Sequence, residues 1–279
     1  MQESVWVVKG SGMDRDELIE TLSRVLRDDD RVRGAWLSGS IGRGDADSYS
    51  DVDVWVAVCA PDRDAFIDDL PAIIDSTAPT VLNERVGTLP VFNAVTADWL
   101  RFDIVVGTVA EAVTRNHTAM KQLFDKDELH TRMHAVRQPQ SPDPDSVTKL
   151  VKEFFRVLGL LPVVLGRREY ALAVSGAGLL RTMAIQLMLQ DVAVEDRGGA
   201  LRIKPLLPAG RYEALESLPP LTADRDSALA VHLACAQLFL PLAYDICDRL
   251  EIPWPYALET ACSAHWGREL GMPLPRSHG

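Results

Sequence analysis

Cysteine is scarce in this sequence, and it forms no recognisable motif. Among 279 residues there are four cysteines, and none lies in a Cys-x-x-Cys spacing: Cys59, Cys235, Cys247 and Cys262. The spacing excludes the redox and zinc motifs that rely on such pairs. We therefore expect reduced thiols, packed as small apolar side chains in a cytoplasmic protein.

Long apolar runs are also missing. The longest covers residues 157–166, about half of the ~18 residues that a membrane span needs. The first residues, MQESVWVVKGSG, lack a basic segment followed by a long apolar run, so we expect no signal peptide. The sequence thus predicts a cytoplasmic protein without a membrane partner.

Positive charge is in short supply, above all in the first half. The chain has 29 Lys and Arg against 40 Asp and Glu, and residues 1–140 hold 24 of the acids but 15 of the bases. Because nucleic-acid binding depends on cationic contacts to phosphate, this balance argues against a nucleic-acid partner. It suits a cationic small molecule, and solubility is an equally good reason for it.

The most informative stretch covers residues 36–58 and reads WLSGSIGRGDADSYSDVDVWVAV. Two apolar runs flank a polar loop, and the second run opens with Asp51 and Asp53. On a strand these carboxylates share one face, with Cα atoms about 7 Å apart, while Val52 and Val54 point to the core. Adjacent carboxylates repel unless a proton or a cation lies between them. Oxygen ligands of this kind favour Mg²⁺.

The loop before these acids has the composition of a phosphate-binding segment. Gly39, Gly42 and Gly44 allow the backbone to approach a ligand closely. Ser40 adds a hydroxyl group, and Arg43 adds a planar cation suited to phosphate.

Gly39-Ser40, ten intervening residues and then Asp51-Val52-Asp53-Val54 together resemble the signature of the DNA polymerase beta-like nucleotidyltransferase superfamily. The Arg43-Gly44 and Tyr49-Ser50-Asp51 segments are similar to those of its small antibiotic-modifying members. The resemblance implies an α+β fold, with a polymerase-beta-like domain of mixed sheet and flanking helices, followed by a helical bundle. A glycine-rich hairpin with an acidic rim is the structural alternative.

A further acid interrupts the strongest strand downstream, LRFDIVV at residues 100–106. Phe102 and Ile104 lie on one face, and Asp103 lies on the other beside Arg101. The superfamily places a third acid on a neighbouring strand, so the resemblance implies that Asp103 joins Asp51 and Asp53. Pairing of Asp103 with Arg101 at the sheet surface is the alternative.

The remaining pattern predicts the elements and the domain organisation. Helices are expected at 14–27, capped by Asp14, at 63–75, capped by Asp62, and after the capping box Thr108–Glu111. Strands are expected at 32–38, 81–86 and 89–96. A proline-rich linker at 138–145 separates a catalytic domain, 1–138, from a helical substrate-binding domain, 146–279. The helices of the second domain are predicted at 146–165, with a kink at Pro162, and at 169–190, 223–250 and 256–270.

The second domain supplies further candidates. Its run KEFFRVLGLLPVVLGRREYALA resembles the first helical hairpin of the lincosamide nucleotidyltransferases. Lys149 and Lys152 could bind the nucleotide phosphates, or they could lie on a solvated helix face. Four side chains could line an acceptor pocket, although aromatic residues at helical spacing are more often core: Trp254, Tyr256, His265 and Trp266.

The resemblance implies an enzyme that transfers AMP from ATP to a hydroxyl of a small molecule such as a lincosamide or an aminoglycoside. It implies Asp51 and Asp53 as ligands of Mg²⁺, and Gly39, Ser40 and Arg43 as phosphate contacts. Asp103 would be the general base or the ligand of a second Mg²⁺. A nucleotidyltransferase acting on protein or tRNA, of the toxin–antitoxin type, and a non-catalytic nucleotide-binding protein are the alternatives. The oligomeric state stays open, with a homodimer as one option.

Overall fold

A computed structural model describes residues 12–134, 142–193 and 202–277. The chain divides into two compact units, Met1–Arg137 and Gln138–Gly279, which are described separately. The N-terminal residues 1–11 and the beginning of the predicted linker, 138–141, lie outside the described residues.

The first unit is built on a six-stranded mixed sheet. Its strands are β1 (Val32–Leu37), β2 (Val52–Val58), β3 (Thr80–Arg85), β4 (Val91–Thr96), β5 (Arg101–Thr108) and β6 (Lys121–Asp125). They follow the order β3-β4-β5-β2-β1-β6. The central neighbours β2 and β5 run parallel, and the other neighbours run antiparallel. Strand β6 was not expected from the sequence pattern.

Two longer helices cover one face of this sheet. They are α1 (Arg15–Asp28) and α3 (Arg63–Thr77), and their apolar sides pack on the valines of β2. Asp14 and Glu17 form a capping box at the start of α1, so the predicted cap is confirmed. Asp62 precedes α3 but makes no capping bond with its side chain, so that detail of the prediction is wrong.

The opposite face of the sheet is only partly covered. The short helices here are α4 (Val109–Ala112), which has the predicted capping box, and α5 (Leu129–Arg132). Together with the turn at His117–Ala119 they enclose a small core around Trp36 and Trp55. A Cβ on Gly107 would lie 2.2 Å from the Trp55 ring, so the absence of a side chain makes room for this ring beside β5. The part of the face that holds Asp53 and Asp103 is half-buried.

The second unit consists of helices: α6 (Pro144–Leu158), α7 (Leu161–Gly166), α8 (Tyr170–Gln190), α9 (Ala209–Glu216), α10 (Arg225–Arg249) and α11 (Tyr256–Leu270). The predicted helix 146–165 is divided into α6 and α7 next to Pro162, as its proline indicated. Phe154 and Phe239 stack in the core with ring centroids 3.8 Å apart. All four cysteines are free, and three of them are buried.

Two helices of this unit, α8 and α10, are long and apolar enough to cross a membrane by length and composition. Windows of 18 residues within them reach a mean hydropathy of 1.5, although neither helix is one uninterrupted apolar run. Both helices contribute buried side chains to the common core of the unit, which is also the behaviour of core helices.

An ion-pair triad ties the end of α8 to α9 and α10. Asp191 follows α8, and its side chain is 9% exposed; it pairs with Arg211 at 2.5 Å and also with Arg249. Because Asp191 is the buried partner of both arginines, and Arg211 has no other ion pair among the described residues, Asp191→Ala should lower the free energy of unfolding by about 2–3 kcal/mol. The value is below that of a fully buried pair because both arginines are partly exposed.

Urea denaturation monitored by circular dichroism measures this loss. Asp245→Ala is the matched control, since it removes a 62%-exposed partner of the same Arg249, and it should cost less than about 1 kcal/mol. Equal losses in the two variants would contradict a structural role for the triad.

Candidate active site

Polar side chains form a row across the half-covered face of the sheet. Asp53 on β2 lies opposite Asp103 on the parallel strand β5, and Asp103 lies opposite Asn93 on β4. Residues in register on neighbouring strands point to the same face. The structure thus places two of the predicted acids side by side, and it confirms that Val52 and Val54 point to the opposite, buried face.

The surroundings of Asp103 raise the pKa of its carboxyl group. Burial raises the pKa of this carboxyl above its ordinary value, and the negative charge of Asp51 raises the pKa further. A side-chain hydrogen bond with Asn93 and the positive charge of Arg101 act in the opposite direction. Asp103 is therefore a carboxylate with an increased affinity for a proton, held in position by Asn93.

Asp53 lies directly beneath Gly39. The Ser38 N–H donates to the Asp53 carbonyl at 2.8 Å, which brings the start of α2 (Gly39–Arg43) against β2. A Cβ on Gly39 would lie 1.9 Å from Asp53 Oδ2, and the residue has a φ of 58°. Both the contact and the backbone conformation therefore require glycine at this position.

Gly39→Ala should reduce turnover by about 10²-fold, because the added methyl group must displace the Asp53 carboxylate, and a shift of about 1 Å can cost that much. Gly44→Ala is the matched control: Gly44 also has a positive φ, 81°, but a Cβ there would meet nothing within 4 Å. Backbone strain should destabilise both variants by roughly 1–2 kcal/mol. Comparison of kcat and melting temperature separates the two effects, and similar kcat values would contradict the role of the close approach.

The predicted phosphate segment is a short helix, α2, where the sequence analysis expected a loop. Tertiary contacts explain the difference: a Cβ on Gly42 would lie 2.4 Å from the Ala119 carbonyl oxygen, and Ile41 packs against the main core. Such close packing holds a sequence of weak helix formers in helical form. Ser40 lies in this helix, and Arg43 ends it and pairs with Asp45 at 3.4 Å.

Asp51 lies just before β2, which begins at Val52, and Arg101 is the cation beside it. Arg101 Nη2 is 3.8 Å from Asp51 Oδ2 and donates to the Tyr49 carbonyl at 3.0 Å. The alternative of a direct Asp103–Arg101 ion pair is not the arrangement found, since the ion pair formed by Arg101 is with Asp51.

The donor set suits a hard divalent cation. In the described ranges no three His, Cys, Asp or Glu side chains come close enough together to hold a metal ion. Asp53 and Asp103 nevertheless lie in register, and the Asp53 carboxylate occupies the position that a Cβ on Gly39 would need. Mg²⁺ usually takes one or two carboxylates and completes its octahedron with water and substrate phosphate oxygens. The carboxylates present therefore fit Mg²⁺ bound together with a phosphorylated substrate.

Two polar neighbours of the acids were not predicted as parts of the site. Asn93 is the one uncharged polar side chain in the middle of β4, VFNAVT, and this interruption of an apolar strand was the available signal. Arg101 was considered only as a partner of Asp103. The contact of Arg101 with Asp51 joins residues 50 positions apart, whereas Asn93 and Asp103 lie on consecutive strands.

Lys149 and Lys152 belong to the other unit, where both are exposed on α6. Lys149 lines an open groove of about 560 Å³ between α6 and α8. Their predicted contact with nucleotide phosphates stays a prediction.

The four candidates for an acceptor pocket have different surroundings. Trp266 is fully buried, and its indole N–H donates to the Leu158 carbonyl at 2.9 Å. Trp254 is 8% exposed and donates to Glu259. The pocket hypothesis is therefore wrong for these two core residues. Tyr256 lines an open groove of about 710 Å³, and His265 is half-buried on α11.

A family model described as streptomycin adenylyltransferase matches residues 13–268. Because this match covers most of the chain, the protein belongs to that family, and it is an adenylyltransferase. Comparison with the curated proteins gives no match.

Solved structures give weaker likenesses. An aminoglycoside 6-adenyltransferase from Bacillus subtilis is 15% identical with a TM-score of 0.44, and the alignment covers 91% of this chain and 98% of that one. The GTP-bound terminal uridylyl transferase 4 from Trypanosoma brucei is 18% identical, with a TM-score of 0.29 and coverage of 81% and 64%. The CdnC:HORMA-deltaN complex from E. coli MS115-1 is 14% identical, with a TM-score of 0.29 and coverage of 95% and 90%. Scores at this level are too low to add to the family assignment.

Proposed function

We propose that this adenylyltransferase transfers AMP from ATP, with Mg²⁺, to a hydroxyl group of a small antibiotic of the aminoglycoside type. The in-register pair of Asp53 and Asp103, next to the close approach of Gly39, is the observation that carries the proposal. The family's description names the aminoglycoside streptomycin, and it supports this acceptor class over the lincosamides.

The three acids of the candidate site have separate roles in this proposal. Asp51 and Asp53 would bind Mg²⁺, and Asp103 would bind a second Mg²⁺ or act as the base. Gly39, Ser40 and Arg43 of α2 would contact the triphosphate. Lys149 and Lys152 of the helical unit would supply further positive charge to it. Bound Mg²⁺ would offset the charge that develops on the phosphate oxygens.

The chemistry is a displacement at the α-phosphorus of ATP. The acceptor oxygen forms a bond to that phosphorus while the bond to the bridging oxygen breaks, and pyrophosphate leaves. The acceptor proton goes to the Asp103 carboxylate if this residue is the base, and its raised pKa suits such a role.

The acceptor class is consistent with the charge of the chain. Residues 1–140 contain nine more acidic than basic side chains, and aminoglycosides are polycations. A negative surface potential raises the local concentration and the association rate of such ligands. The substrates ATP and Mg²⁺ are abundant in the cytoplasm, the compartment we propose for the reaction.

The test is to incubate the purified protein with ATP, Mg²⁺ and a panel of aminoglycosides and lincosamides, and to analyse the products by mass spectrometry. We expect a mass gain of one AMP on at least one aminoglycoside, together with stoichiometric pyrophosphate. Protein and tRNA are added in parallel reactions as alternative acceptors, and the protein is analysed by mass spectrometry after tryptic digestion. AMP transfer to protein or tRNA, with none to any antibiotic, would contradict the proposed acceptor.

A further inference from the structure

Arg101 occupies an unusual position among the acids. It lies on β5 two residues before Asp103 and on the same face, and its guanidinium is beside Asp51. The contact uses one nitrogen at 3.8 Å, and the same nitrogen donates to the Tyr49 carbonyl. This is a long contact made by one nitrogen, and both side chains are about one-third exposed. Such pairs are weak and are exchanged easily for better partners.

We propose that Arg101 competes with the divalent metal for Asp51 and transfers to the triphosphate when the nucleotide binds. The proposal rests on the proposed function, because it takes Asp51 as a metal ligand and ATP as the substrate. Arg101 would be a positioning residue that makes metal binding depend on the nucleotide.

Charge is the reason for the competition. A guanidinium and a divalent cation that share one carboxylate repel each other, and in a half-buried site this repulsion is only partly screened. A triphosphate brings about four negative charges and removes the conflict, since both cations can then bind anionic oxygens. Arginine is well suited to the exchange because its planar fork binds phosphate oxygens in pairs.

The consequence is an order of binding. Without nucleotide, the charge of Arg101 offsets that of Asp51, so the affinity of the site for free metal should be low. When the metal binds together with the nucleotide, Arg101 moves from Asp51 to the phosphates, and Asp51 becomes available to the metal. The site would therefore bind the metal–nucleotide complex in preference to the free metal.

The test uses Arg101→Gln, with Arg85→Gln as the matched control. Arg85 is exposed on β3, and its register partner Phe92 belongs to the core on the face of the sheet opposite the acids. The Arg85 side chain donates to carbonyl groups of the adjacent turn. Each variant thus loses one positive charge from the same sheet. Binding of Mn²⁺ is measured by electron paramagnetic resonance, with and without a non-hydrolysable ATP analogue, and melting temperatures verify folding.

For Arg101→Gln we expect Mn²⁺ alone to bind roughly three- to tenfold tighter than to the wild type. The ATP analogue with Mn²⁺ should bind more weakly by a similar factor, because a phosphate contact is lost. Arg85→Gln should change neither value. A purely structural role for Arg101 would not tighten metal binding, so these opposite changes are specific to the proposal.

Unchanged or weaker binding of free Mn²⁺ to Arg101→Gln would overturn this inference and leave the proposed function intact. If the wild type bound no Mn²⁺ with the ATP analogue, the proposed function and the inference would both fail. Arg101→Lys keeps the charge and serves if the glutamine variant does not fold. It should bind free Mn²⁺ as weakly as the wild type, and tighter binding would count against the competition.

Discussion

Asp53→Asn should reduce AMP transfer by about 10³-fold or more while the protein keeps its fold. The acid lies opposite Asp103 and beneath Gly39, so its loss removes a charged metal ligand from the proposed site. The electrostatic contribution of such a metal is several kcal/mol, and each 1.4 kcal/mol corresponds to about a factor of ten in rate. Loss of one of two adjacent negative charges also relieves repulsion, so the melting temperature should stay equal or rise slightly.

Asp68→Asn is the control for this prediction, because it removes an acid that is exposed on α3, the helix packed on the other face of the sheet. Turnover of both variants is measured at saturating Mg²⁺ as pyrophosphate release. Near-normal turnover of Asp53→Asn under these conditions would show that the metal assignment is wrong.

Asp103→Asn should lower kcat by about 10²–10⁴-fold and change the affinity for ATP little. A base or a ligand of the second metal acts mainly in the transition state, and loss of a general base has this magnitude. Steady-state kinetics gives kcat, and equilibrium binding of the ATP analogue gives the affinity. Normal turnover would assign Asp103 a structural role in the row with Asn93.

The same variant distinguishes the two roles of Asp103 that the sequence left open. Titration of the enzyme–nucleotide complex with Mn²⁺ counts the bound metal ions in wild type and variant. Loss of one ion identifies a ligand of the second metal. An unchanged count, with the rate still reduced, identifies the general base.

The sequence predicted the faces of strands better than the neighbours of their side chains. Alternation in β2 and β5 assigned Val52, Phe102 and Ile104 to the core and left Asp53 and Asp103 on the other face, as the structure has them. That these two acids are opposite each other followed only from the resemblance to known nucleotidyltransferases. Local periodicity determines orientation, but register between distant strands depends on the whole sheet.

Contacts between residues far apart in the sequence determine the structure at α2 and at Trp266. The helix α2 forms because Gly42 packs against Ala119, 77 positions further along the chain. Trp266 is buried because its indole finds the Leu158 carbonyl, on a helix more than 100 residues away. The Gly42 contact leaves no signal in the local sequence, so propensity alone predicted a loop there. For Trp266 the spacing of the aromatic residues already favoured a core position over the acceptor pocket, and the structure confirms the core position.

The single parallel pairing in the sheet has a consequence for the kinetics of folding. Strands β3, β4 and β5 are consecutive and antiparallel, and they can form through short loops, whereas each residue of β2 pairs with a residue of β5 that lies 50 positions further along the chain. Pairings of such large sequence separation are slow to form. Because this step also brings Asp53 to Asp103, we expect catalytic activity after dilution from denaturant to recover later than the far-ultraviolet circular dichroism signal.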